Sequence, residues 1–241
     1  MSEKLLVFNS APQIERIFLA NGQFCFVVDD AVVDPDRLVR FAKAQRQQFR
    51  STLANGYPGV LLPAPDEVSA AVNDFFSFHM RRCFDSRRTL HMHSRLSIVT
   101  TPPRDLQPYQ SICHRDSPVV DPAHSIQASL LYLFHDSALG GTSFYEPARS
   151  PAAIQQLLAD VVGLPGDVFW QRYGMEPGYI SASTEWFTHL GTVAPKFNRI
   201  VFYDAFMFHS SDIPEPQRLS ADPTTGRLTL NGFFTSRRKA G

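Results

Sequence analysis

Val193-Ala194-Pro195-Lys196-Phe197-Asn198-Arg199-Ile200-Val201-Phe202-Tyr203 joins a turn-forming segment to an unbroken apolar run, and a histidine follows shortly in Phe206-Met207-Phe208-His209. A short apolar run bounded by turn residues reads as a buried strand. The same signature recurs at residues 96–100, 126–134, 168–170 and 228–234, so strands are expected there and the chain from Arg95 onward is expected to be mainly extended. One further helix is expected over residues 152–162, where Ile154, Leu157, Leu158 and Val161 share a face and Gly163 can end it.

Towards the N-terminus, residues 5–8 and 24–28 look like two leading strands separated by the turn-prone Asn21-Gly22. Asp34-Pro35-Asp36 combines an N-cap with a first-turn proline, and Leu38, Phe41 and Ala42 behind it predict a helix to about Gln48. A Gly- and Pro-rich linker, residues 55–65, leads into a second helix in which Val68, Val72, Phe75, Phe76, Met80 and Cys83 recur at three or four. The first third is therefore expected to be mostly helical. Helices followed by a late antiparallel sheet predict a mainly β fold with N-terminal helices and a double-stranded β-helix, or jelly-roll and cupin-like, core. We expect a single domain over residues 1–241, with a helix-rich elaboration at 1–94 and the jelly-roll core at 95–236. The helices are expected to cover one face of the sheet, because Val68, Val72, Phe76 and Met80 left bare would make a sizeable apolar patch.

Composition narrows the classes of function. Apolar residues at 44% and charged ones at 19% exclude a disordered or collagen-like chain. Lys plus Arg equals Asp plus Glu at 23 each, so no net field gathers nucleic acid or an anionic membrane, and neither partner is expected. Cys25, Cys83 and Cys113 form no CxxC pair, which fits a reducing compartment. With no run of about 18 apolar residues and no basic segment leading into one, a cytoplasmic location is expected. The basic clusters Arg81-Arg82 to Arg87-Arg88 and Arg237-Arg238-Lys239 read as solvated faces.

The chemistry concentrates in Ser111-Ile112-Cys113-His114-Arg115-Asp116, where a nitrogen donor and a carboxylate two residues apart point to one face of an extended chain. His209 offers a third ligand. Two histidines and one carboxylate leave three positions of an octahedral metal open on one side, which suits iron(II) holding a cosubstrate and dioxygen together. The competing reading is that an HxD pair arises by chance and that each histidine is a hydrogen-bonded structural residue. His-Arg-Asp also occurs in the catalytic loop of protein kinases. That loop needs Asn five residues after its Asp, where this chain has Asp121, and no Gly-rich phosphate loop or DFG is present.

The order of motifs around these residues resembles the iron(II)/2-oxoglutarate-dependent dioxygenases, most closely the prolyl 4-hydroxylase-like branch. There HxD is followed by a YLN-like triplet and a GGxTxF-like turn; here stand Leu131-Tyr132-Leu133-Phe134 and Gly140-Gly141-Thr142-Ser143-Phe144. A PKxNRxVxF-like turn precedes the distal histidine, matched by residues 195–202. A basic residue with Ser or Thr two positions on follows it, matched by Arg227-Leu228-Thr229. The resemblance covers about residues 96–234. It implies that His114, Asp116 and His209 are the catalytic metal ligands for iron(II), and that Arg227 and Thr229 hold the far carboxylate of the cosubstrate 2-oxoglutarate. The planar fork of arginine suits a carboxylate. The family often has Tyr three residues ahead of the first ligand; Ser111 stands there, which leaves Tyr109 or Tyr132 to supply that hydroxyl. The interval from His209 to Arg227 is longer than usual and carries Pro214, Pro216 and Pro223, an extended loop at the site mouth.

The implied activity is hydroxylation of an unactivated C–H bond in an amino-acid, peptidyl or other small organic substrate, with dioxygen as co-reactant. Asp116 leaves no ligand position for halide, which favours hydroxylation over halogenation. Two alternatives stay open: a cupin-type metalloenzyme that does not use 2-oxoglutarate, and a non-catalytic jelly-roll binding module. His91 and His93, like His79, His124, His135 and His189, are read as structural or surface residues, and nothing in the sequence sets the oligomeric state.

Overall fold

The computed structural model describes residues 4–51, 56–116 and 122–238. Asn55, Asp121 and Lys239, which entered the linker, kinase and basic-cluster readings above, lie outside them. Eight strands form one antiparallel sheet in the order β1-β2-β9-β6-β11-β5-β4-β3. They are β1 (Ile14–Phe18), β2 (Phe24–Val28), β3 (Arg50–Ser51), β4 (Gly59–Pro63), β5 (Arg88–Val99), β6 (His124–Tyr132), β9 (Ile200–Asp204) and β11 (Arg227–Arg237). The facing sheet, β10-β7-β8, contains β7 (Thr142–Pro147), β8 (Phe187–Val193) and β10 (Phe208–Ser211). Two sheets with crossed-over connections make a double-stranded β-helix, and the fold is mainly β with helices early in the chain.

Alternation along β11 separates the two faces of the large sheet. Leu228, Leu230 and Phe234 point outward into an apolar layer with α1 (Pro35–Ala44) and α2 (Asp66–Phe75). Within it Leu38, Val68, Val72 and Phe76 are buried, and Phe76 stacks on Phe234 with centroids 4.1 Å apart. The helices thus cover the sheet, as the apolar face of α2 requires. Arg227, Thr229, Asn231 and Phe233 point the other way, into the space between the sheets, beside a second cluster built on Val27, Tyr132, Phe144, Val201 and Tyr203. A third cluster packs α3 (Pro108–Ser111), α4 (Pro151–Gly163) and α5 (Gly166–Tyr173) against the small sheet.

Several sequence expectations need correction. Residues 168–170 are helical, inside α5, which starts after Pro165 and stops at Gly174 in the left-handed region with φ 59°. Three apolar residues cannot distinguish strand from helix, and here Phe169 and Tyr173 meet one turn apart, centroids 4.7 Å. Residues 5–8 form no strand beyond a bridge between Phe8 and Val32; the hairpin at Asn21-Gly22 pairs β2 with Ile14–Phe18 instead. The first third is only partly helical, since it also supplies β1 to β4, and α1 ends at Ala44 before a 3-10 turn at Arg46–Gln48.

The turn before β9 is a clamp. Asn198 adopts φ 64°, which Asn tolerates better than most residues, and its side chain both accepts from Val32 N and donates to Val32 O, at 2.9 and 2.8 Å. Arg199 Nε and Nη2 reach the two carboxylate oxygens of Asp29 at 2.6 and 3.0 Å, and Lys196 Nζ adds a contact at 2.9 Å. The fork of Arg199, and then Lys196, hold the Asp29 carboxyl down at about 2. A carboxyl whose pKa is lowered by folding contributes stability above its unfolded value, about 3.9. That contribution is lost as pH falls towards the folded value. Asp29 is 38% exposed, so screening limits the effect. Asp29→Asn should cost about 1 kcal/mol at pH 7 and progressively less towards pH 3, read by urea denaturation at both.

Candidate metal centre

His209 lies on β10, and the segment ending at Asp116 runs antiparallel beside it. His114 N donates to His209 O at 3.0 Å and His209 N to His114 O at 2.9 Å, while Asp116 N donates to Ala205 O at 3.0 Å. These bonds bring the three predicted ligand residues together. One ligand atom from each of His114, Asp116 and His209 lies within 4.8 Å of the others. His114 Nε2 stands 3.8 Å from Asp116 Oδ1, and His209 Nε2 stands 3.4 Å from Asp116 Oδ2.

Neighbouring polar groups orient the donors. His209 Nδ1 is 3.0 Å from Met207 O; a carbonyl only accepts, so Nδ1 carries the proton and Nε2 presents its lone pair. Tyr203 OH contacts that Nε2 at 3.1 Å and Asp116 Oδ2 at 3.4 Å. Burial, then the nearby Asp116, push the Tyr203 phenol well above its usual range, so it stays protonated and donates. For His114, desolvation by the crowd of surrounding groups, with His209 adding, lowers the imidazole pKa, although 54% of its side-chain surface is open to solvent. The direction keeps it a neutral nitrogen donor near neutrality. An oxygen and two neutral nitrogens converging in this way fit a divalent first-row metal.

Arg227 and Thr229 lie on the inner face of β11, both buried. Arg227 Nε donates to Gly140 O at 3.1 Å and Nη2 to Gly141 O at 2.6 Å, so one edge of its fork fastens the Gly-Gly turn. That turn admits only glycine: a Cβ on Gly140, which has φ +77°, would stand 1.6 Å from Asp212 O, and one on Gly141 2.0 Å from Val193 O. Tyr132 commits its hydroxyl to Thr142 Oγ1 at 2.8 Å and Val193 O at 3.4 Å, and its phenol is pushed up to about 12 by burial. Tyr109 packs in the α4 and α5 cluster.

The residues that sequence reasoning missed are Tyr57 and Arg95. The Tyr57 hydroxyl is buried beside Arg227, Arg95, Thr229 and Ser97 without a hydrogen bond of ordinary geometry to any of them. Thr229 Oγ1, Arg95 Nε and Asn231 Oδ1 are likewise buried without partners. Buried polar atoms are nearly always satisfied, so four orphans on one chamber wall fit a polar ligand between the sheets. An apolar cavity of about 330 Å³, lined by Trp170, Tyr173, Met175, Tyr179 and Trp186, borders the chain just ahead of His114 but includes none of the three ligand residues.

The fold is thus a jelly roll in which two histidines and a carboxylate come together. The chain belongs to the family described as a family of unknown function (DUF6445), whose model matches residues 10–234. No curated protein matches the sequence. Among solved structures it is similar to HygX from Streptomyces hygroscopicus with nickel and 2-oxoglutarate bound, at TM-score 0.50 and 9% identity, covering 88% of this chain and 82% of that one. It is also similar to a Pseudomonas putida prolyl-4-hydroxylase, at TM-score 0.46 and 13% identity, covering 86% of each chain.

Because Arg227 holds two backbone carbonyls, its loss should be felt without any ligand. Arg227→Met should lower stability by about 2–4 kcal/mol in urea denaturation of the metal-free protein, and Arg227→Lys by roughly half as much.

Proposed function

We propose that the protein is an iron(II)- and 2-oxoglutarate-dependent dioxygenase that hydroxylates an unactivated C–H bond of an amino-acid, peptidyl or other small organic substrate. The observation that carries this reading is the convergence of His114, Asp116 and His209 beside a chamber whose polar atoms lack partners. The fold is one that in HygX accommodates nickel and 2-oxoglutarate.

When bound, iron(II) would supply the open positions at which dioxygen and 2-oxoglutarate meet, so that the cosubstrate becomes succinate and carbon dioxide while the substrate C–H becomes C–OH. The protein's part is placement and shielding. His114, Asp116 and His209 would hold the metal. Met207 O and Tyr203 OH orient two of those ligands through hydrogen bonds. The far carboxylate of the cosubstrate would take the edge of Arg227 not used by Gly140 and Gly141, with the unpartnered hydroxyls of Thr229 and Tyr57 donating to it. Tyr57 thereby fills the role that the sequence left between Tyr109 and Tyr132.

One observation favours the cupin-type alternative: half of the Arg227 fork already has a structural use. Anaerobic titration of the iron(II)-loaded protein with 2-oxoglutarate separates the readings through the weak visible charge-transfer band of the chelate. The expected result is one iron per chain, a band that saturates with 2-oxoglutarate, and loss of iron binding in Asp116→Ala. Iron binding without a band transfers the assignment to a metalloenzyme that does not use 2-oxoglutarate. Failure to bind iron leaves a binding module.

A further inference from the structure

The inner face of the large sheet carries a second cation besides Arg227. Arg95 on β5 pairs across the ladder with Asn231, while Arg227 pairs with Val99, so the two arginines sit four residues apart along the same face. Their backbones are therefore about 13 Å apart along the strands. Burial falls along β5 from Val99 and Ser97, fully buried, through half-buried Arg95 to exposed His93 and His91. Arg95 thus stands between the buried and the exposed ends of β5, close enough to Asp116 for their charges to interact.

Arg95 Nε is buried without a partner, and among the described residues Arg95 makes no ion pair. Its guanidinium lies 5.0 Å from the ring centre of Phe233 and 5.9 Å from that of Tyr57, and His93 stacks on Phe233 at 4.9 Å. Aromatic faces hold a guanidinium in a fixed plane and leave its hydrogen-bonding edge open. A desolvated cation with an unused donor is costly unless an anion completes it. Arg227 differs, since its Nε and Nη2 are satisfied by backbone.

We propose that Arg95 is the recognition residue for a carboxylate carried by the primary substrate, so that the substrate class is a small organic acid whose anionic end docks at Arg95 with the remainder directed towards the metal. This rests on the dioxygenase reading and adds the substrate's charge to it. The bidentate fit of guanidinium to carboxylate supplies both the attraction and the orientation.

The test uses the full chain, loaded anaerobically with iron(II) and saturating 2-oxoglutarate. The probes are the standard amino acids and their N-acetyl derivatives, each beside its primary amide, with binding read by calorimetry and by perturbation of the chelate band. At least one acid should bind wild type about tenfold or more tighter than its amide. Arg95→Met should reduce that acid to the level of its amide, and Arg95→Lys, which keeps charge and loses the fork, should fall between. In both variants 2-oxoglutarate should still develop the band at a concentration within about threefold of wild type. Equal binding of acid and amide, binding of no acid, or an acid preference that survives in Arg95→Met overturns the proposal. A large increase in the 2-oxoglutarate requirement of Arg95→Met also overturns it, by assigning Arg95 to the cosubstrate, and leaves the dioxygenase reading intact. A wild-type protein with no band overturns the dioxygenase reading itself.

Discussion

Two reciprocal backbone hydrogen bonds between His114 and His209 hold the candidate site together. The residues are far apart in sequence, and the pairing converts that separation into a shared register from which the two imidazoles face one another, centroids 4.5 Å apart. Asp116 then follows two residues on, on the same face. Its own amide is tied to Ala205, so the carboxylate is placed by backbone and not by a mobile side chain alone. Geometry fixed by sheet hydrogen bonds is what a ligand set needs if it is to be present before the metal arrives.

The motifs around the triad divide into structural and chemical parts. The turn at residues 195–199 makes no contact with the triad: Asn198 closes on Val32, and Arg199 with Lys196 grips Asp29. Its effect is to align β9, which carries Tyr203 to the ligands. The Gly-Gly turn allows backbone to approach backbone, and Thr142 beyond it receives the Tyr132 hydroxyl. Such positions look functional in a sequence and act on the site through the placement of strands.

This division explains how far the sequence could be read. The candidate ligands were legible because two of them lie in one short local pattern and the third follows a strand with strong turn chemistry. Arg95 and Tyr57 were not. On β5 the inner residues His91, His93 and Arg95 interrupt the apolar pattern, so only the last residues of a twelve-residue strand looked extended. Tyr57 sits among glycines and prolines and reads as linker, although β4 begins two residues later and its side chain enters the chamber. Polar residues on a sheet's inner face break the periodicity that identifies a strand, and those same residues make the chamber.

Arg227 answers to two demands, closing the Gly140-Gly141 turn from one edge and facing the chamber with the rest of its head group. A chain that bound no cosubstrate would still need the arginine to stay folded. Its persistence in a lineage would therefore testify to architecture and say little about chemistry. Thr229 and Tyr57 carry no such obligation, because their buried hydroxyls have no hydrogen-bond partner among the described residues. Released from a ligand, they would drift to apolar residues of similar shape. They are the positions at which loss of the proposed reaction would first leave a record.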